Sequence, residues 1–191
     1  MNRFIDRGAI TAGWVGLGMA VTIGVSFLLV IPIEPIYWVL ALPAGLLIGY
    51  YANARSERAG GPWRRLLANA VFAGLVTGVT YAVLLLGVKA LFFNIDGGYR
   101  DASEGGPITC QTGADCVYRR YLAAKQGPAL EAHGVHDVAT FTSLYWSEQA
   151  STCLTVFGLS VGGAIGGGLM FGAANRRKPG EAAGSGVVPP A

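Results

Sequence analysis

Charge is what this sequence has least of. Only 13% of its 191 residues are Asp, Glu, Lys or Arg, against about a quarter in a soluble domain. So little charge cannot cover a globular surface in water. The charges also clump, and four long stretches are left almost bare: 9–31, 36–52, 66–93 and 152–174. None of the four contains Asp, Glu, His or Arg, and Lys89 is their single charged residue. An apolar run of about 20 residues crosses a hydrocarbon core of about 30 Å as a helix.

These absences narrow the chemistry. Proton relays and coupled transporters place ionisable groups inside the bilayer. Membrane-embedded haem takes axial histidines, yet both histidines fall between the third and fourth stretches. Intramembrane proteolysis needs a Ser–His pair or two aspartates, and Ser26 and Ser160 have no base beside them in the sequence. There is no C-x-x-C pair and no Gly-rich phosphate loop after a strand. The sequence leans away from an enzyme, and no cofactor is expected.

What is present points to an all-α integral membrane protein, a four-transmembrane-helix bundle. The first run is too long for the apolar core of a signal peptide and lacks a small-x-small cleavage site, so a retained anchor is expected. Cytoplasmic loops carry an excess of Lys and Arg. Residues 1–8, the connection after the second span and the segment after the fourth hold nine of the fourteen Lys and Arg residues (Arg3, Arg7, Arg55, Arg58, Arg64, Arg65, Arg176, Arg177, Lys178). This predicts cytoplasmic termini in a plasma (inner) membrane, with the loop 94–150 extracytoplasmic. Residues 175–191, rich in Gly, Ala and Pro, read as a disordered tail. Orientation accounts for the basic residues, so no nucleic acid is expected as a partner.

Aromatic residues agree: Tyr37, Trp38, Phe92, Phe93, Tyr145 and Trp146 fall near the outer boundary, and Tyr50, Tyr51 and Trp63 near the inner one. Cys110 and Cys116 flank a plausible turn in the outer loop. An exported compartment favours a disulfide between them, which would staple the loop between the third and fourth helices. Cys153 is left over.

Glycine is crowded where helix is expected, seven times between Gly158 and Gly172. In lipid the backbone must satisfy its own hydrogen bonds, so helix is enforced. Small residues then let helices approach closely. Residues four apart share a helix face, and three spans carry such ladders: Ala12, Gly16, Ala20 and Gly24; Ala70, Gly74, Gly78 and Ala82; and Gly158, Gly162 and Gly166. Further steps of four join Gly163 to Gly167 and Gly168 to Gly172. Pro43 should kink the second helix. Lys89 lies near the outer end of the third span, where it can snorkel to the headgroups; an ion pair with Glu34 is the alternative.

The outer loop holds one constellation of metal-ligand types, Glu131, His133, His136 and Asp137. Gly134 interrupts a rigid helix there, and the chain offers no third histidine. Around it, Val117, Tyr118, Tyr121 and Leu122 recur at helical spacing, as do Val138, Phe141, Leu144 and Tyr145. The loop is sized for a small cap rather than a catalytic domain. The leading functional expectation is a structural or accessory subunit, engaging a larger membrane complex or itself through Gly-rich faces or the outer loop. A small transporter or channel component comes second. A metal-binding protein or enzyme using the two histidines comes third.

Overall fold

A computed structural model describes residues 5–26, 34–56, 61–95 and 113–176, with the backbone alone for 34–37 and 176. Among these residues every regular element is a helix: α1 (Arg7–Gly24), α2 (Glu34–Ala54), α3 (Trp63–Ile95), α4 (Ala114–Ala123), α5 (Gly127–Ala132) and α6 (Val138–Arg176). Two stretches, Trp63–Ile95 and Val138–Asn175, are long and apolar enough to cross a membrane. The described parts of the first two expected spans fall short of that. The first expected span ran to Ile31, and residues 27–33 lie outside the described residues; α2 is apolar over the shorter stretch Trp38–Ala54.

The chain divides into two compact units, Met1–Ala82 with Thr155–Ala191, and Val83–Leu154. In the first, α1, α2, the start of α3 and the end of α6 pack side by side. Their directions follow from which residues meet. Gly13 faces Phe72 and Val76, and Gly16 faces Thr77, so α1 and α3 run parallel. Gly8 abuts the backbone of Arg55 and Ser56, which sets α2 antiparallel to α1. Gly45 meets Ser160 and Gly49 meets Ala164, so α2 and α6 run parallel. Gly74 meets Ala164 and Gly168 meets Ala70 and Leu66, so α6 runs against α3. Each helix in this unit therefore reverses the direction of the one before it in sequence.

The interior of this unit is built from the smallest side chains. Ala9, Ala12, Ala41, Ala52, Ala70, Ala73 and Ala164 are fully buried, with Ile48, Leu85 and Val156 among the few large aliphatics inside the protein. The large apolar side chains instead point outward: Trp14 is 72% exposed, Val39 70% and Met170 61%. A water-soluble helical protein places them the other way round. α2 continues as helix through Pro43. Proline removes one backbone donor, and ring crowding with the carbonyl four residues back is its main cost.

In the second unit the end of α3, α4, α5 and the start of α6 surround Phe141, which is 1% exposed. The expected helical segment after Cys116 is α4, closed by Lys125 in the left-handed conformation at φ 61°. Pro128 sits in the first turn of α5, where its missing N–H costs nothing. Gly134, at φ 74°, ends α5 in a conformation that a side chain would strain. The segment 138–146 forms one continuous helix with the fourth expected span. A rim of rings packs against the core: Phe93 lies 4.7 Å from Tyr145 and 5.2 Å from Trp146, while Tyr118 and Tyr121 lie 5.3 and 5.1 Å from Phe141.

Candidate functional site: a glycine seam and its polar end

The residues proposed from the outer loop do not converge. Glu131, His133, His136 and Asp137 are all exposed, and no three metal-ligating side chains gather anywhere among the described residues. Asp137 has a structural task instead. Its Oδ1 accepts hydrogen bonds from the Thr140 amide at 2.8 Å and the Thr140 hydroxyl at 2.7 Å. The same hydroxyl oxygen accepts from the backbone N–H groups of His136 and Asp137, both at 3.2 Å. This reciprocal cap starts α6. The Thr140 hydrogen bonds hold the Asp137 carboxyl below its ordinary range, the hydroxyl contributing most. Asp suits a helix cap as well as a metal, which is why residue type alone left Asp137 a weak candidate ligand.

Cys116 is buried at the head of α4. Cys110 and the tail 177–191 lie outside the described residues. So does the Glu34 side chain on which a pair with Lys89 would rest. The Cys153 thiol is half-buried.

The helix faces of the first unit are where the chain is most closely built. Ala12, Gly16, Ala20 and Gly24 are all buried in α1; in α3, Ala70, Gly74 and Gly78 are buried and Ala82 is partly so. The ladder in α6 needs correction. Beyond the local backbone of α6 itself, no described atom lies within 4 Å of where a Cβ on Gly158 or Gly162 would stand, and Gly166 meets the end of the Leu46 side chain at 3.6 Å. The packed glycines are one and two positions further along. Gly163 and Gly167 back onto the α2 backbone at Leu42 and Leu46, and Gly168 and Gly172 back onto α3. α2 answers with a ladder of its own, Ala41, Gly45 and Gly49, also at steps of four. Gly45 and Gly49 sit against the carbonyls of Ser160 and Ala164. Two parallel helices thus meet backbone to backbone, each with glycine where the other would clash. The physical reason for the misplaced face is the partner: α6 has small residues on several sides, and only α2 and α3 select which sides are covered.

Asparagine was the signal that sequence reasoning passed over. Asn53 is fully buried at the C-terminal end of α2, and its Nδ2 donates to the carbonyls of Gly49 at 3.1 Å and Leu66 at 3.0 Å. Asn69, 1% exposed, accepts from the Asp6 amide through Oδ1 at 3.2 Å. Asp6 in turn accepts from the Ser56 hydroxyl at 2.6 Å. Asp6 stands at the N-cap position of α1 without capping it. Its carboxylate ties the head of α1 to the end of α2, and its amide ties it to α3. Asn53 continues the ladder Ala41, Gly45, Gly49 by one further step of four, which places it on the seam. A step-of-four search that admitted Asn as well as Gly and Ala would have found it.

No family model, no curated protein and no solved structure matches this chain. The reading of function therefore rests on the residues and their geometry. An interhelical seam with a hydrogen-bonded end can hold helices in one register.

Proposed function

We propose that this chain is a multi-pass membrane protein of structural or accessory type, a subunit or partner of a larger membrane complex. In this reading the four expected spans form a bundle in the plasma (inner) membrane. Both termini and the connection between α2 and α3 are cytoplasmic. Residues 94–150 are extracytoplasmic, and the Cys110–Cys116 bridge closes their first turn. Contact with the complex, or with a second copy, is made through Gly-rich helix faces or the outer loop.

The observation that carries the membrane part is the inverted distribution of size. Alanine and glycine fill the interior of the first unit, while Trp14, Val39, Leu47 and Met170 face outward. Water penalises that exterior at about 25 cal/mol per Å² of apolar area, and lipid does not. The alternating helix directions support the four-span reading. They bring the start of α1, the end of α2, the start of α3 and the end of α6 to one end of the unit, and the basic segments flank those four helix ends. An interior given to packing and to Asn hydrogen bonds supports the accessory reading.

The test is purification of the tagged full chain from its native membrane in mild detergent. The reading expects a defined membrane protein, or a second copy of the chain, to co-elute at fixed stoichiometry. Elution as a lone monomer, with ion or solute flux after reconstitution into proteoliposomes, would replace it with a transport role.

A further inference from the structure

We propose that the polar end of the first unit is a binding surface for anionic phospholipid headgroups, centred on Arg7, Arg55, Arg64 and Arg65. The inference rests on the membrane reading above and adds a lipid preference to it.

The fold gathers these arginines from three separate chain segments. Arg7 follows Asp6, whose carboxylate and amide are bonded to Ser56 and Asn69. Arg55 precedes Ser56, and its backbone carbonyl carbon would lie 2.6 Å from a Cβ on Gly8. Arg64 and Arg65 stand in the first turn of α3, one turn before Asn69. One hydrogen-bonded contact thus fixes all three segments together. Arg7, Arg55 and Arg64 are exposed and Arg65 is half-buried.

Among the described residues of these segments charge is mostly of one sign. Asp6 is their only carboxylate, and its Oδ2 accepts from the Ser56 hydroxyl. Arg7, Arg64 and Arg65 make no ion pair with a described residue. In the second unit, by contrast, Arg119 pairs with Asp115 at 2.9 Å. Guanidinium groups in a cluster suit phosphate, which they meet with two parallel hydrogen bonds.

The rings at the same end set the depth. Tyr50, Tyr51 and Trp63 are headgroup-seeking side chains. Arg55 donates from Nε to the Tyr51 hydroxyl at 3.2 Å and lies 5.8 Å from the centre of that ring. The Trp63 ring packs over Gly172, where a Cβ would lie 2.6 Å from it. Rings that settle among the headgroups hold the neighbouring guanidinium groups at the level of lipid phosphate. A soluble polyanion would not need them.

The experiment reconstitutes the full chain into phosphatidylcholine vesicles carrying a trace of spin-labelled phosphatidylglycerol or spin-labelled phosphatidylcholine. Electron paramagnetic resonance then reads the fraction of each lipid slowed at the protein surface. The expected result is a preference for phosphatidylglycerol of about fivefold for each arginine engaged. The preference should collapse at about 1 M salt, where the Debye length is about 3 Å. It should fall in an Arg64→Gln, Arg65→Gln variant and persist in an Arg119→Gln, Lys125→Gln variant. Equal slowing of the two lipids by the wild-type chain, at low salt, overturns the inference while leaving the membrane reading intact. Slowing of neither lipid removes both.

Discussion

Replacing Gly163 by alanine should loosen the protein, while the same change at Gly162, its immediate neighbour, should not. A Cβ on Gly163 would lie 3.0 Å from the Leu46 amide nitrogen and 3.2 Å from the Gly45 Cα, and closer still to the Leu42 carbonyl. An ordinary contact between such atoms is ~3.5–4.0 Å, and these are backbone atoms that cannot rotate away. The two helices would have to part by about 0.5–1 Å, and contacts along the whole seam would weaken with them. Overpacking of this kind costs about 1–3 kcal/mol. At Gly162 the added methyl meets no described atom within 4 Å beyond its own helix backbone, so the change should be neutral or mildly stabilising. Unfolding by sodium dodecyl sulfate from mild-detergent micelles, followed by circular dichroism, reads the difference as a shift in midpoint. Equal midpoints for the two variants would refute the assignment of the packed face, as would a greater loss at Gly162.

Other expectations follow from the same geometry. Asn53→Ala removes the donor to the Gly49 and Leu66 carbonyls and should cost about 1–3 kcal/mol, read in the same unfolding assay. Phe141→Ala takes out the centre of the second unit and should cost about 3–5 kcal/mol; limited proteolysis should then cut between residues 113 and 137 well before it cuts α3. Because the Asp137 carboxyl is held below its ordinary range by Thr140, its stabilising contribution is present above the unfolded carboxyl's range and is lost as pH falls through the lowered value. The protection factors of amides at the start of α6, which take out the intrinsic pH dependence of exchange, should therefore fall in acid, and that acid response should disappear in Asp137→Asn.

The fold was legible in the sequence wherever one physical rule acted alone. Hydropathy and length located the apolar helices, since a long uncharged run has few alternatives to helix. The ladder in α1 stood out because Ala12, Gly16, Ala20 and Gly24 form a single stripe, away from the exposed face that carries Trp14 and Val21. In α6 the same rule gave several equal answers. Its glycines occupy more than one side, and the covered sides depend on where Gly45 and Gly49 fall in a helix far away in sequence. The polar end was missed for a different reason. A search for ionisable groups passes over asparagine, although in an apolar interior an amide is a costly group that must find partners. Asp137 is the converse case: residue type alone made it a weak metal candidate, and its role as a cap is revealed only by local backbone geometry.

The central claim is that lipid surrounds the apolar exterior and separates the two ends of the helices. Arg64→Cys and Lys125→Cys, each made in a chain whose own cysteines are replaced by serine, test it most directly in intact cells with a membrane-impermeant maleimide. The account predicts labelling at position 125 without lysis, and labelling at position 64 only once the membrane is opened. Labelling of both positions before lysis would contradict it.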